Sequence, residues 1–313
     1  MSEDYLWDRS GPPDPAVARL ERTLAPLRWK ARTTAVTRSA SRGAWRPALA
    51  AAALVAVCTA LWSHGFRGAS TSWEVRSLDG APAVAGAPVE HGAALAEGEW
   101  IETDAASRAH LSRPDVGEVE VGPGSRVRVL ASRPREQRLE LVRGRIDATI
   151  WAPPRLFVVE TPAAVAVDLG CAYSLEVDAD GAGLLHVRAG WVSLGAGATE
   201  SIVPAGARCP ITPGRGPGVP RFDDAPPALE AALAALEAGR PEALDRALAA
   251  ARPRDTLSLW HLLPRVAPDA RSRVVSALEA SVARPPGVSA EAAITLDRAA
   301  LGAWREALEA TWW

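Results

Sequence analysis

The clearest indication of the fold comes from two runs, SRVRVLAS at residues 125–132 and RLELVRG at residues 138–144. Valines alternate with arginines in the first run, and leucines alternate with charged residues in the second. A period of two sends successive side chains to opposite faces of a strand, so one face is buried and the other is solvated. The pattern predicts antiparallel or solenoid-like β structure rather than a parallel α/β sheet.

Similar runs recur between residues 73 and 212, where Gly, Pro and Asp turns separate them roughly every 8–12 residues. We therefore expect around a dozen short strands that form a β-sandwich or β-roll. The Asp180-Gly181 pair is typical of a tight hairpin turn between two of these strands.

The chain changes character after this β region. Residues 213–225 are rich in Gly and Pro and are interpreted as a linker. In residues 226–313 the apolar residues return at helical spacing, for example at Leu229, Leu233 and Leu236. This pattern predicts a C-terminal α-helical module of four or five short helices.

An apolar run of bilayer-spanning length precedes the β region. It extends from Pro47 to Phe66 without a charged residue, and a hydrocarbon core of ~30 Å needs about 20 residues. Two other interpretations are a cleaved signal peptide, which would begin much nearer the N-terminus, and a buried Ala-rich helix. The one-sided basic flank favours a transmembrane helix over residues 47–66.

That flank also predicts the orientation of the chain. Six basic residues and no acidic residue lie between residues 28 and 46, whereas only Arg67 follows the run closely. By the positive-inside rule, residues 1–46 are cytoplasmic and the later domains are periplasmic. The sequence thus predicts a single-pass protein of a bacterial inner membrane.

The cytoplasmic arm, residues 1–46, contains one amphipathic helix. Its apolar stripe consists of Val17, Leu20, Leu24 and Leu27. The stripe is a candidate docking surface for a cytoplasmic partner. A helix lying on the membrane surface and a frayed arm are the alternatives.

Composition and motifs argue against catalysis and nucleic-acid binding. The formal net charge is −2, which provides no bulk attraction to nucleic acid. The chain has no nucleophile-elbow, phosphate-loop or zinc-protease motif, and its five histidines lack metal-ligand spacing. We expect no catalytic residue, metal or cofactor.

Two of the three cysteines fall in the predicted periplasmic part. Cys171 and Cys209 would meet oxidising conditions there and could form one disulfide. Two independent buried thiols are the alternative.

Several motifs of the β region resemble a known family. LAEGEWIETDAASRAHLSRPDVGEVEVGPGSRVRVL, at residues 95–130, resembles the opening of a FecR domain, which has a Gly-aliphatic-x-Thr step and a later Pro-Gly-Ser turn. The segments at 138–150, 155–177 and 184–194 are similar to its following steps. Cys171 stands where the family usually has Thr, and the resemblance suggests that a Cys171–Cys209 bridge replaces that residue and pins the last strand.

The resemblance implies a function as well as a fold. FecR-type signalling proteins are single-span regulators whose cytoplasmic part binds an extracytoplasmic-function sigma factor, while the periplasmic part receives an envelope signal. It implies for this chain an anti-sigma-type factor whose envelope protein or ligand is unknown. The alternative is a membrane-tethered periplasmic scaffold or ligand-binding module without a sigma-factor role.

Overall fold

The structure, a computed structural model, describes residues 72–312. The predicted cytoplasmic arm and transmembrane helix, with the stripe of Val17, Leu20, Leu24 and Leu27 and the run from Pro47 to Phe66, lie outside the described residues. None of the helices in the described part of the chain has both the length and the apolar character needed to cross a bilayer.

Eighteen strands occur between residues 72 and 312. They are β1 (Trp73–Asp79), β2 (Ala83–Val84), β3 (Ala87–Pro88), β4 (Ala93–Leu95), β5 (Trp100–Glu102), β6 (Arg108–Arg113), β7 (Gly117–Val121), β8 (Arg126–Arg133), β9 (Glu136–Ile150), β10 (Phe157–Glu160), β11 (Val165–Asp168), β12 (Ala172–Val177), β13 (Gly183–Ala189), β14 (Trp191–Ala196), β15 (Thr199–Pro204), β16 (Ala207–Thr212), β17 (Gly216–Pro217) and β18 (Arg221–Phe222). Six of them have only two or three residues, and the other twelve match the dozen that the sequence predicts.

Helices follow the strands. They are α1 (Pro227–Glu237), α2 (Leu244–Ala250), α3 (Thr256–Leu262), α4 (Arg271–Ser281), α5 (Ala290–Ile294) and α6 (Arg298–Glu309), and 3₁₀ turns at Pro241–Ala243, Pro253–Asp255 and Pro268–Ala270 precede α2, α3 and α4. Strands make up 39% of the described residues, and within residues 72–312 the helices are confined to the C-terminal part, which confirms the prediction of a mainly β fold with a helical C-terminal part.

The strands form two layers that share β9. In the first layer the order is β4-β1-β6-β7-β9-β12-β13-β16, and β17 and β18 pair with β16. In the second layer the order is β3-β2-β5-β8-β9-β10-β11-β14-β15. Among the described strands, only β9 and β10 pair in parallel. The Asp180-Gly181 turn joins the antiparallel strands β12 and β13, as predicted.

β9 passes from one layer to the other at Gly144. Before this residue β9 pairs with β8 and β10, and after it with β7 and β12. The buried side chains change parity at the same point, from Leu139 and Leu141 to Ile146 and Ala148. A shift of one residue normally sends side chains to the opposite face of a sheet. Because the strand also bends here, both halves of β9 face one core between the layers.

Hydrogen bonds from a neighbouring turn hold the crossing in place. The Ser125 hydroxyl accepts a hydrogen bond from the Arg145 amide (2.9 Å) and donates one to the Arg145 carbonyl (3.1 Å). The Ser125 amide donates in turn to the Thr103 hydroxyl, which donates to the Gly122 carbonyl. Ser125 is fully buried and Thr103 nearly so, which makes these bonds costly to leave unmade.

The predicted linker over residues 213–225 has regular structure. β17 and β18 pair with β16, and Val219 and Phe222 are buried in the common core. Residues 72–312 belong to one compact unit, and buried residues of the helices belong to the same apolar core as those of the sheets. The segment therefore joins the helices to the sheet edge rather than separating them.

Gly144→Ala should destabilise the protein strongly. Its φ of 93° disfavours a side chain, and a Cβ there would overlap the backbone of Ser125. Backbone strain of ~1–2 kcal/mol and overpacking of ~1–3 kcal/mol give a loss of about 3 kcal/mol in the free energy of unfolding. The measurement is urea unfolding of the purified full-length protein.

Gly170→Ala is the matched control, because Gly170 has the same φ of 93° but a Cβ added there would have no other atom within 4 Å. It should cost only the backbone strain, about 1 kcal/mol. Equal losses for the two substitutions would contradict the importance of the Ser125 contact.

Candidate functional site

The helices cover an edge of the β structure through buried polar contacts. β15 ends one layer and β17 and β18 end the other, and side chains of α1 and α3 reach β15, β18 and the segment between β17 and β18. An uncovered strand edge exposes unpaired backbone groups. The helical module therefore replaces solvent at this edge, and the contacts between the two parts form the candidate site.

Glu237, at the end of α1, holds the segment between β17 and β18. Its carboxylate accepts hydrogen bonds from the Val219 amide (2.8 Å) and from the Arg221 guanidinium (2.9 and 3.0 Å). Arg221 is 8% exposed, so this ion pair is largely shielded from water. Removing one partner of such a pair leaves an uncompensated buried charge, which typically costs ~3–5 kcal/mol.

His261 of α3 completes the hydrogen bonding of the edge strand β15. The Ile202 amide donates to its Nε2 (2.9 Å), so Nδ1 carries the proton and donates to the Leu257 carbonyl (2.9 Å). Burial lowers the pKa of His261 to about 3, and the nearby cations Arg265 and Arg305 act in the same direction. The imidazole is therefore neutral at physiological pH and serves as both donor and acceptor.

Further contacts seal the same interface. The Ser258 hydroxyl donates to the Pro220 carbonyl (2.7 Å), and Arg265 donates to the Ser201 hydroxyl (2.8 Å). The rings of Trp191 and Trp312 lie 5.9 Å apart, which adds an aromatic contact between β14 and the C-terminal end of the described chain. These contacts fix the helices on the sheet edge at several independent points.

A cavity of about 410 Å³ opens beside this interface. α1, α2, α3 and α4 and the segment between β17 and β18 enclose it, and Glu237 and Arg265 provide charged groups in its wall. It combines a concave apolar wall with a small number of placed polar groups, as ligand sites do.

The predicted disulfide between Cys171 and Cys209 is wrong for this fold, in which both cysteines are free and buried. Cys209 pairs with Leu185, which pairs with Leu175, so it lies two strands away from β12. The two cysteines are therefore separated by about 10 Å across the sheet and about 13 Å along it. A disulfide needs Cα atoms within roughly 4.4–6.8 Å.

Each thiol has its own buried surroundings. The Cys171 thiol contacts the Asp168 carboxylate, and Cys209 lies 3.3 Å from the Gly218 carbonyl. Burial raises the pKa of Cys209 to about 12, and burial together with Asp168 raises the pKa of Cys171. Both thiols stay protonated, so neither has the thiolate character that a reactive cysteine needs.

Within the described residues, no group of three or more His, Cys, Asp and Glu side chains is placed to hold a metal ion. His186 lies on the solvated face of β13, where its Nε2 hydrogen-bonds the Asp223 carboxylate (2.7 Å).

Comparison with known proteins identifies the central part of the β structure. Residues 99–193 match the family model described as FecR protein. The match runs from the residue before β5 into β14 and includes Thr103, Ser125 and the whole of β9. Residues 99–193 of the chain are therefore similar to the FecR family, as the sequence motifs indicate.

Two solved structures show a partial and distant likeness. Both are of candidate anti-sigma factors from Parabacteroides distasonis ATCC 8503. The first is 17% identical with a TM-score of 0.36, and the similarity covers 40% of this chain and 60% of that one. The second is 16% identical with a TM-score of 0.35, covering 47% of this chain and 73% of that one. No curated protein matches the chain.

The interface residues were not identified from the sequence. Glu237 and Val219 are 18 positions apart, and His261 and Ile202 are 59 apart, so no local spacing links them. One signal was present, since His261 interrupts the apolar run LSLWHLL. A lone polar residue within a buried helix face indicates a side chain that must find hydrogen-bond partners.

The stability of the full-length protein should fall in mild acid through His261. The unfolded state takes up a proton near pH 6.5 that the folded state does not bind until about pH 3. The free energy of unfolding then drops by ~1.4 kcal/mol per pH unit below pH 6.5. Between pH 7 and pH 5, the wild type should lose about 2 kcal/mol more than His261→Gln in urea unfolding.

Ser258→Ala is the control, because it removes a buried hydrogen bond of the same helix without removing a titrating group. It should lower stability by a similar amount at both pH values and keep the wild-type slope. A His261→Gln variant with the wild-type slope would contradict the buried neutral imidazole.

Proposed function

We propose that the protein is a FecR-type transmembrane regulator of the anti-sigma type. In this proposal residues 1–46 lie in the bacterial cytoplasm and bind an extracytoplasmic-function sigma factor. Residues 47–66 cross the inner membrane, and the FecR domain and the helices lie in the periplasm and receive the signal. The protein acts by binding rather than by catalysis.

The single observation that carries the proposal is the FecR match over residues 99–193. Two sequence features support its membrane part: the uncharged run from Pro47 to Phe66 and the basic flank on one side of it. The stripe of Val17, Leu20, Leu24 and Leu27 supports the cytoplasmic contact, because the sequence of residues 1–46 has no second apolar stripe at helical spacing to pack against it.

The organisation of the periplasmic part suits a receiver. The FecR domain and the helices share one core, so a ligand or protein bound to the helices would act on a body that includes β9. A signal can pass from the helices to the sheets only if some contact between them differs between a bound and an unbound state. The buried contacts of Glu237 and His261 are the elements available for it.

The double variant Leu20→Ala/Leu24→Ala tests the regulatory role. Anchor residues at the centre of an interface typically cost at least ~2 kcal/mol of binding free energy when truncated. In the native host, genes near this one should therefore change in transcript level when the double variant replaces the wild type. The measurement is RNA sequencing, with immunoblotting to verify equal protein amounts.

Arg19→Ala/Arg22→Ala, on the opposite face of the same helix, is the matched control and should leave transcription at the wild-type level. An unchanged transcriptome in the leucine variant, at normal protein amount, would defeat the regulator proposal. The tethered periplasmic module without a sigma-factor role would then be the remaining interpretation.

A further inference from the structure

The cavity of about 410 Å³ lies in the helical module, outside the FecR match. Its volume falls within the ~300–1,000 Å³ typical of small-molecule sites. Four helices and the segment between β17 and β18 surround it, so its shape depends on packed elements rather than on a single loop. Sites built on packed elements hold their side chains in place before a ligand arrives.

Most of the cavity wall is apolar. Its larger apolar residues are Val219, Leu236, Pro241, Leu244, Leu262 and Val266. Leu244 and Leu262 also belong to the buried core, with 3% and 2% exposure, so this wall is firmly packed from behind. It offers a surface for a small hydrocarbon body.

Arg265 places a positive charge in this apolar wall. Its guanidinium donates to the His261 carbonyl and the Ser201 hydroxyl, and lies 3.5 Å from the Glu200 and Pro217 carbonyls. All of these acceptors are neutral, and within residues 72–312 no carboxylate lies within ion-pair distance of Arg265. Burial lowers the pKa of Arg265, and the Glu237 carboxylate in the same wall acts in the opposite direction, although it makes no ion pair with Arg265.

Arg265 keeps donors for a ligand. A guanidinium has five N–H donors in a planar fork. The hydrogen bonds of Arg265 use Nη1 once and Nη2 repeatedly, which leaves Nε and one N–H of Nη1. The outer edge of a guanidinium is formed by Nε and Nη2, so the Nε–H and the remaining Nη1–H lie on different sides of the group. A carboxylate in the cavity would therefore accept one charge-assisted hydrogen bond from Arg265.

The other charged side chains in the cavity wall either pair with an opposite charge or are exposed to solvent. Glu237 is bound by Arg221 and the Val219 amide, and Arg273 pairs with Asp245 at the rim. Asp269 is exposed at the rim, where water and salt screen its charge. Arg265 is therefore the charge in the described wall that an incoming anion would compensate.

We propose that this cavity binds a small apolar carboxylate, with its carboxylate on Arg265 and its hydrocarbon body against the leucine-rich wall. The site goes beyond the proposed regulatory function and does not depend on it, because it involves neither residues 1–46 nor the FecR match. Its binding test and the transcription test can each fail without the other.

Calorimetric titration of the purified full-length protein with hexanoate tests the site, and 1-hexanol serves as the uncharged ligand of equal chain length. Hexanoate should bind with one site per chain, and hexanol should bind at least about tenfold more weakly, because charge-assisted hydrogen bonds exceed neutral ones. Absence of hexanoate binding, or equal affinity for the acid and the alcohol, would overturn the proposal.

Three variants locate the binding. Arg265→Gln should weaken hexanoate at least tenfold, and Ala270→Leu, which fills the cavity from its half-buried lining, should weaken hexanoate and hexanol alike. Arg246→Gln, which removes an exposed charge of α2 outside the cavity lining, should bind hexanoate as the wild type does. If Arg265→Gln does not fold, Ala270→Leu decides: unchanged hexanoate affinity in a folded Ala270→Leu protein would refute the site.

Discussion

The bend of β9 at Gly144 is the constraint on which the rest of the structure depends. A single strand of fifteen residues supplies the centre of both layers, so every other strand takes its position from one half or the other. The bend needs a residue without a side chain at Gly144 and a partner at Ser125 that bonds both backbone groups of Arg145. Thr103 then fixes Ser125. This gives a physical reason for two motifs of the FecR domain, the Thr step and the Pro-Gly-Ser turn.

The position of the helices depends indirectly on the bend of β9. Once β9 has set the layers, β15, β17 and β18 form the outer edge, and each brings backbone groups that need partners. Glu237 and His261 supply them from α1 and α3. The apolar core continues from Val203 and Phe222 in the sheets into Leu229 and Leu257 in the helices. Apolar burial and hydrogen bonding therefore favour the same placement of the helices on the sheet edge. The cavity beside this interface differs, because the Arg265 guanidinium in its wall has no carboxylate partner among the described residues.

The sequence predicted what depends on local pattern. Alternation in SRVRVLAS and RLELVRG predicts strands because the period of two is a property of neighbouring residues. It did not predict contacts set by distant strands. The register of β12, β13 and β16 keeps Cys171 and Cys209 apart. Pairing with β16 also forms strands within the Gly- and Pro-rich segment 213–225. The contacts of Glu237 and His261 join residues far apart in the chain, so the candidate site appeared only with the structure.

If the shared core makes one cooperative body of the sheets and the helices, β9 and α1 should unfold together. Hydrogen exchange with mass spectrometry on the full-length protein, at increasing urea below the unfolding transition, tests it most directly. The amides of β9 and of α1 should exchange through the same global opening, with equal free energies and equal urea dependence. If α1 instead exchanges through an opening of clearly lower free energy while β9 stays protected, the sheets and the helices are two separate units. That result would contradict a single cooperative body.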